Sequence, residues 1–155
     1  MKYWCISTSG DNWEICKKNQ TWGMDARYWV TLEKYLKEGD KAVVYTHGGK
    51  FKATIEFIGE YFHSSEDLGW TKGKIKFLFP YRIKFQILHE SSNPIQIYFS
   101  TEEVGDKAKM SKPNFIDNIV FIADKGKTWN QYLQVSIINI TQEDFNTLSE
   151  AISKS

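Results

Sequence analysis

Ser7-Thr8-Ser9-Gly10-Asp11-Asn12-Trp13-Glu14-Ile15-Cys16-Lys17-Lys18-Asn19-Gln20-Thr21-Trp22-Gly23-Met24 reads as the end of a strand, a short capped helix, and a tryptophan left standing on a turn. Asp11, with Glu14 three residues later, has the spacing of a helix N-cap and its capping-box partner. Lys17 and Lys18 suit the negative end of a helix dipole, and Asn19 suits the left-handed conformation that closes a helix. Trp22 then falls after the stop signal and before a glycine, outside any apolar period. A tryptophan on a turn, beside Ser7, Thr8, Ser9 and Asn12, offers a flat aromatic face next to hydrogen-bonding groups. That combination suits a planar ligand such as a nucleobase. The plainer alternative is a core tryptophan whose N–H bonds a backbone carbonyl.

Working outward, Tyr3 to Ile6 is β-branched and aromatic and predicts a first strand. Tyr28, Leu32, Tyr35 and Leu36 recur at helical spacing, which predicts an amphipathic helix over 26–37 with Trp29 off its apolar stripe. Glu38-Gly39-Asp40 marks a turn and 41–46 a strand. His47-Gly48-Gly49-Lys50 supplies hairpin glycines, with His47 facing solvent. In the strand that follows, Phe51, Ala53, Ile55 and Phe57 share one face. Residues 60–73 read as a polar loop presenting Trp70, the alternative being a lid packed on a core edge. Strands are expected over 74–79 and 81–88 around Pro80, which belongs at an edge or bulge. Ile83, Phe85 and Ile87 face one side and Arg82, Lys84 and Gln86 the other. Lys72, Lys74 and Lys76 share a face of extended chain, as a phosphate track or as a merely solvated row.

The later chain is less legible. Residues 91–113 hold a strand candidate at 95–99 and a Lys-rich loop. Residues 115–122 are apolar and suit a buried helical turn leading into a strand. A turn at 125–129 presents Trp129, and 132–138 reads as a strand. A helix starts at Thr141, with Asp144 as capping-box partner and Ile140 against Phe145 as a hydrophobic staple. Phe145, Leu148 and Ile152 face the core.

At 155 residues the chain suits one domain spanning 1–155. Aromatic residues make up 15% of it, six of them tryptophan, so some rings are expected to line a surface or pocket. The net charge of +1 excludes a protein living on bulk phosphate attraction, so any grip on nucleic acid must be local. Cys5 and Cys16 make no disulfide framework and no Cys/His cluster, so no metal and no cofactor is expected. With no apolar leader, and no apolar run near the length of a bilayer span, the expectation is a cytoplasmic protein that does not enter membranes. Cys5, Cys16, Asp11 and Asp25 are the candidates for chemistry. None has an evident partner, so no catalytic residue is assigned and a non-enzyme is expected.

Laid out in order, these pieces resemble the EVE domain of the PUA-like superfamily. The resemblance is carried by Tyr3-Trp4-Cys5-Ile6, Asn12-Trp13-Glu14, Thr21-Trp22-Gly23 and Glu38-Gly39-Asp40-Lys41. It continues through Pro80-Tyr81-Arg82-Ile83, Phe121-Ile122 with Lys127-Thr128-Trp129, and Glu143-Asp144-Phe145. It implies an α+β fold, a PUA-like, mostly antiparallel β pseudo-barrel flanked by α-helices, close to the YTH domains that read methylated adenine in RNA. It further implies a nucleic-acid-binding module, for DNA or RNA, that captures a modified base in an aromatic cage. Trp22 would form one wall and Trp70 a second. Ser7, Thr8 and Asn12 would form the hydrogen-bonding rim, with the Gly23 backbone beside the base. Tyr81, Arg82 and Trp129 would lie near the pocket mouth. The alternatives are an RNA-binding module indifferent to modification and an enzyme acting on a modified nucleotide. Two departures from the family pattern stand out: Ala53 where a glycine is usual, and Met24-Asp25 in place of a small apolar residue and proline.

Overall fold

The computed structural model describes residues 1–28, 30–47, 49–96 and 137–155. Its organising strand is β1 (Tyr3–Thr8), in which Trp4, Cys5, Ile6 and Ser7 are all buried. A strand buried on both faces belongs inside a sheet. Accordingly, β1 runs parallel to β3 (Lys41–Thr46) on one side and antiparallel to β8 (Ile137–Ile140) on the other. Strands β2 (Thr21–Met24), β4 (Lys50–His63) and β7 (Tyr81–Gln96) complete the order β2-β7-β4-β3-β1-β8, all with antiparallel pairings. The result is a strongly curled six-stranded sheet, a half-barrel flanked by helices.

The period of two sorts side chains into two apolar layers. Trp4, Ile6, Ala42, Val44, Ala53, Ile55, Phe57, Ile83 and Phe85 build the larger layer, together with Trp13 of α1 (Gly10–Asn19). Cys5, Val43 and Tyr45 face the other way, against Phe145, Leu148 and Ile152 of α2 (Gln142–Ser153). Phe51 joins them instead of sharing the face of Ala53, Ile55 and Phe57 as the sequence suggested, because the β4 pairing shifts register between Phe51 and Ala53. The closing helix forms as its sequence predicts. The Thr141 side chain accepts from the Asp144 N–H at 3.1 Å, and Ile140 and Phe145 share the smaller cluster.

Elsewhere, local contacts override the sequence reading. The N-cap of α1 is Ser9, whose Oγ accepts from the Asn12 N–H at 3.1 Å. Asp11 therefore sits in the first turn, and Gln20, at φ 48°, takes the left-handed closing position expected of Asn19. Trp22 is not on a turn, because β2 follows the helix directly and pairs Trp22 with Ile83. Between 26 and 37 no regular helix forms. The Asp25 carboxylate and carbonyl capture the Arg27 and Tyr28 N–H groups, winding a 3-10 turn over Ala26–Tyr28. A five-residue π-helical segment, Thr31–Tyr35, follows. Its looser pitch keeps Leu32 and Leu36 in the core but turns Tyr35 out to 50% exposure.

The region read as a polar loop is partly strand. β4 continues through Gly59, at φ 75°, to pair Phe62 with Arg82 and His63 with Tyr81. Beyond it, β5 (Thr71–Lys72) and β6 (Ile75–Lys76) make a minimal hairpin turned at Gly73, whose φ is 66°. Only these two residues of the strand expected over 74–79 are extended in a ladder, because the chain bends again at Phe79, at φ 45°. Trp29, Trp129, the Lys-rich loop and the apolar 115–122 segment lie outside the described residues, as do most of the 95–99 and 132–138 strand candidates. Among the described residues, no helix is long and apolar enough to cross a membrane.

Candidate functional site

Where β1 ends and α1 begins, the chain turns away from the sheet and leaves a cavity of about 400 Å³. Small-molecule sites run from about 300 to 1,000 Å³, so this one suits a compact ligand. Ser7, Thr8, Asn12, Trp22, Gly23 and Trp70 all line it. Residues far apart in sequence thus meet around one hole, and six of the expected site residues are among them.

Both tryptophans are floor rather than display. Each is only 2% exposed, which corrects the expectation of rings presented to solvent. Trp22 is anchored by strand pairing and by tilted contact with Phe57, ring centroids 6.2 Å apart. Trp70 is anchored from three directions. Phe79 meets it edge-on at 5.9 Å, and the Arg82 guanidinium lies 5.0 Å from its ring centre. Gly23 admits it from the third side: a Cβ built there would fall 2.8 Å from Trp70 Cζ3 and 2.6 Å from the Phe79 carbonyl oxygen. The Trp70 indole N–H is buried without a full hydrogen bond among the described residues, and its polar influence falls on the Cys16 thiol.

Asn12 is a clamp. Its Nδ2 donates to the Thr71 carbonyl at 2.6 Å, and its Oδ1 accepts from the Thr71 N–H at 3.0 Å. The helix thereby holds the residue next to Trp70 by both backbone groups, although Asn12 also lines the cavity.

Arg82 and Tyr81 do not reach the mouth. Arg82 is 1% exposed, although its strand position predicts solvent. It donates to the carbonyls of Phe79 at 3.1 Å, Leu78 at 2.8 Å and Glu66. An irregular loop has carbonyls that no ladder satisfies, and a five-donor guanidinium can gather several of them. Burial lowers its pKa, while the charges of Glu66 and Asp67 act to raise it. Tyr81 instead stacks on Tyr61, with centroids 6.3 Å apart, and meets His63 edge-on. Trp129 lies outside the described residues.

Sequence reading missed several lining residues. His47 is exposed on a turn, as expected, but it also lines the cavity, and its backbone N–H donates to the Thr8 carbonyl at 2.9 Å. The parallel register Thr8↔Thr46 puts it there, and no local pattern reveals such a register. Partial burial lowers the imidazole pKa below its ordinary 6.5, which favours the neutral ring. Tyr28, Phe79 and Cys16 also contribute, the Cys16 thiol pushed up to about 12 by burial. At the rim, Asp25 Oδ2 pairs with Lys72 Nζ at 3.4 Å, tying the end of β2 to the β5–β6 hairpin. Among the described residues, no three His, Cys, Asp or Glu side chains cluster to hold a metal.

No family model matches the chain. It is 26% identical over 164 residues to a UPF0310 protein of Pyrococcus abyssi, an alignment covering 98% of this chain and 100% of that one. A UPF0310 protein of Saccharolobus solfataricus is 24% identical, with 100% and 97% covered. Among solved structures, a Rhodopseudomonas palustris protein determined by NMR superposes with a TM-score of 0.59 at 14% identity, over 98% of this chain and 93% of that one. The YTH domain-containing protein Mmi1, in complex with RNA, superposes with a TM-score of 0.61 at 8% identity, over 97% and 80%. At such identities the likeness is one of fold, and the fold this chain shares is that of YTH domains.

Proposed function

We propose that the chain is an EVE-domain module that captures a flipped, modified nucleobase of DNA or RNA in the Trp22–Trp70 cavity, and that it is a binder rather than an enzyme. The observation that carries this reading is the convergence of two tryptophans from separate elements on one compact cavity with a polar rim. The RNA-bound Mmi1 domain of the same fold supports a nucleic-acid ligand. Ser7 and Thr8 offer hydroxyls for a base edge, and a neutral His47 adds one donor and one acceptor. The thiols lend no support to chemistry, since burial holds both protonated, with pKa values of about 12.

Extruding a base costs a few kcal/mol, and aromatic stacking returns about 1–3 kcal/mol per base. Two walls therefore offset the extrusion, and a methyl group adds dispersion and desolvation without needing a charged partner. Because each ring is nearly covered, stacking requires the rim to open. The Asp25–Lys72 pair is a weak tie there, since such partly exposed pairs contribute about 0–1 kcal/mol.

The test is tryptophan fluorescence with nucleosides and short single strands, plain and carrying N6-methyladenine or 5-methylcytosine. Trp22 lies in the core, and its truncation to alanine would remove about 3–5 kcal/mol of stability. Trp22→Phe and Trp70→Phe are the better variants. Saturable quenching by one methylated form, weakened at least tenfold in both variants while their melting stays cooperative, is the expected result. Equal quenching by plain and methylated strands would instead mean binding indifferent to modification. No quenching by any member of the panel would end the reading.

A further inference from the structure

Few large apolar side chains are strongly exposed among the described residues, and one of them is Ile75, at 73%. It is the first residue of β6, directly after the two-residue turn of the hairpin that starts at Thr71 beside Trp70. Directly opposed residues of an antiparallel pair share a face. Ile75 opposes Lys72, so it stands on the face whose lysine reaches Asp25 on the cavity rim. Lys74 and Lys76 flank it in the chain. Lys76 pairs with Asp67, and Lys74, on the turn, makes no ion pair among the described residues.

The hairpin is tied at its base. Asn12 holds Thr71 by both backbone groups, the Phe77 N–H bonds the Trp70 carbonyl at 3.0 Å, and Lys72 Nζ lies 5.2 Å from the centre of the Phe77 ring. An exposed isoleucine on so short a hairpin, tied at its base, is an apolar projection beside a cavity, next in the chain to Lys74.

We infer that the β5–β6 hairpin is a wedge for base-paired nucleic acid: Ile75 fills the gap left in the stack when a base enters the Trp22–Trp70 cavity, and Lys74 contacts the flanking phosphate. The inference rests on the base-capturing reading above and deepens it by naming a duplex as the substrate. Removing a base from a duplex strips its neighbours of stacking on one side. Apolar side chains between base steps are a known way to occupy such gaps. A single strand needs no such filler, because its neighbours can close up. Phosphate attraction to Lys74 gives the wedge its charge complementarity, since Lys72 and Lys76 are each paired with an aspartate.

The experiment compares Ile75→Ala with the unaltered chain. The probes are the methylated and plain oligonucleotides of the panel above, each single-stranded and each annealed to its complement, with 2-aminopurine beside the target base. Anisotropy reads affinity, and 2-aminopurine emission reads unstacking. The unaltered chain is expected to bind the preferred duplex and raise 2-aminopurine emission. Ile75→Ala should weaken duplex binding at least fivefold while leaving single-strand binding within twofold. Lys74→Gln should weaken both forms and flatten the salt dependence of binding. An Ile75→Ala effect equal on both forms, no effect on the duplex, or no duplex binding beside intact single-strand binding would each overturn the wedge while leaving the cavity reading in place. Failure of every strand, single or paired, would overturn both. Because Ile75 is solvent-exposed, the variant is expected to melt as the unaltered chain does.

Discussion

Gly23 decides more than any other single residue how the cavity is walled. Its backbone lies so close to Trp70 and Phe79 that a methyl group at Cα has no room. Gly23→Ala must push Trp70 or the Phe79 peptide aside. Overpacking of this kind costs about 1–3 kcal/mol. The expected outcome is a lower melting temperature together with at least a tenfold loss of base binding, read by thermal denaturation and by the fluorescence titration. An unchanged melting curve with unchanged quenching would mean that Trp70 does not rest on Gly23. The glycine beside Trp22 was legible in the sequence, but not what it accommodates, because Trp70 is 47 positions later in the chain. Arg82 makes the same point in reverse. Alternation places it on the polar face of β7, and only the unsatisfied carbonyls of a neighbouring loop draw it inward.

Among elements, the tie between α1 and the β5–β6 hairpin governs how firmly the Trp70 wall is held. Asn12→Ala removes both bonds to Thr71 and leaves two backbone groups seeking partners, a loss of about 1–3 kcal/mol. The helix start should survive, because its cap uses the Ser9 hydroxyl and the Asn12 backbone N–H rather than the Asn12 side chain. The expected signature is faster amide hydrogen exchange at Trp70 and Thr71, with little change in the middle of α1. Asn12→Asp, which can still accept from the Thr71 N–H, should fall between the two. Exchange quickened equally along α1 would mean that the clamp supports the helix rather than the loop. Element type was legible where one apolar period governed, as in α2, or where β-branched and aromatic residues run together, as in β3. It was not legible over 26–37, where the Asp25 turn and a π-helical pitch replace the regular helix that the spacing of Tyr28, Leu32, Tyr35 and Leu36 suggested.

At the scale of the whole molecule, the two cysteines report on the two layers of the sheet. Cys16 belongs to the larger apolar cluster and Cys5 to the smaller one, each thiol buried and with its pKa pushed up to about 12. A folded-state pKa so far above the ordinary 9.0 of a thiol leaves almost no thiolate at pH 8. Reaction with a disulfide reagent therefore has to wait for opening of the fold. Native protein should show neither thiol reacting on the timescale of an unfolded control, and both should become reactive together across the urea transition. Cys16 reacting well before Cys5 would mean that the cavity side of the sheet opens on its own. What the sequence determined by itself was the local and periodic part: strand β3, the shared face of Ala53, Ile55 and Phe57 in β4, the capped closing helix, and the family-like order of motifs that pointed to the half-barrel. These follow from backbone geometry and from apolar residues recurring at fixed spacings. Only tertiary structure decided which rings are covered, that Asn12 clamps a distant loop, that Arg82 lies behind the wall, and that His47 reaches the cavity. Each of those depends on a strand register or a loop crossing, and such long-range contacts leave no mark in the spacing of nearby residues.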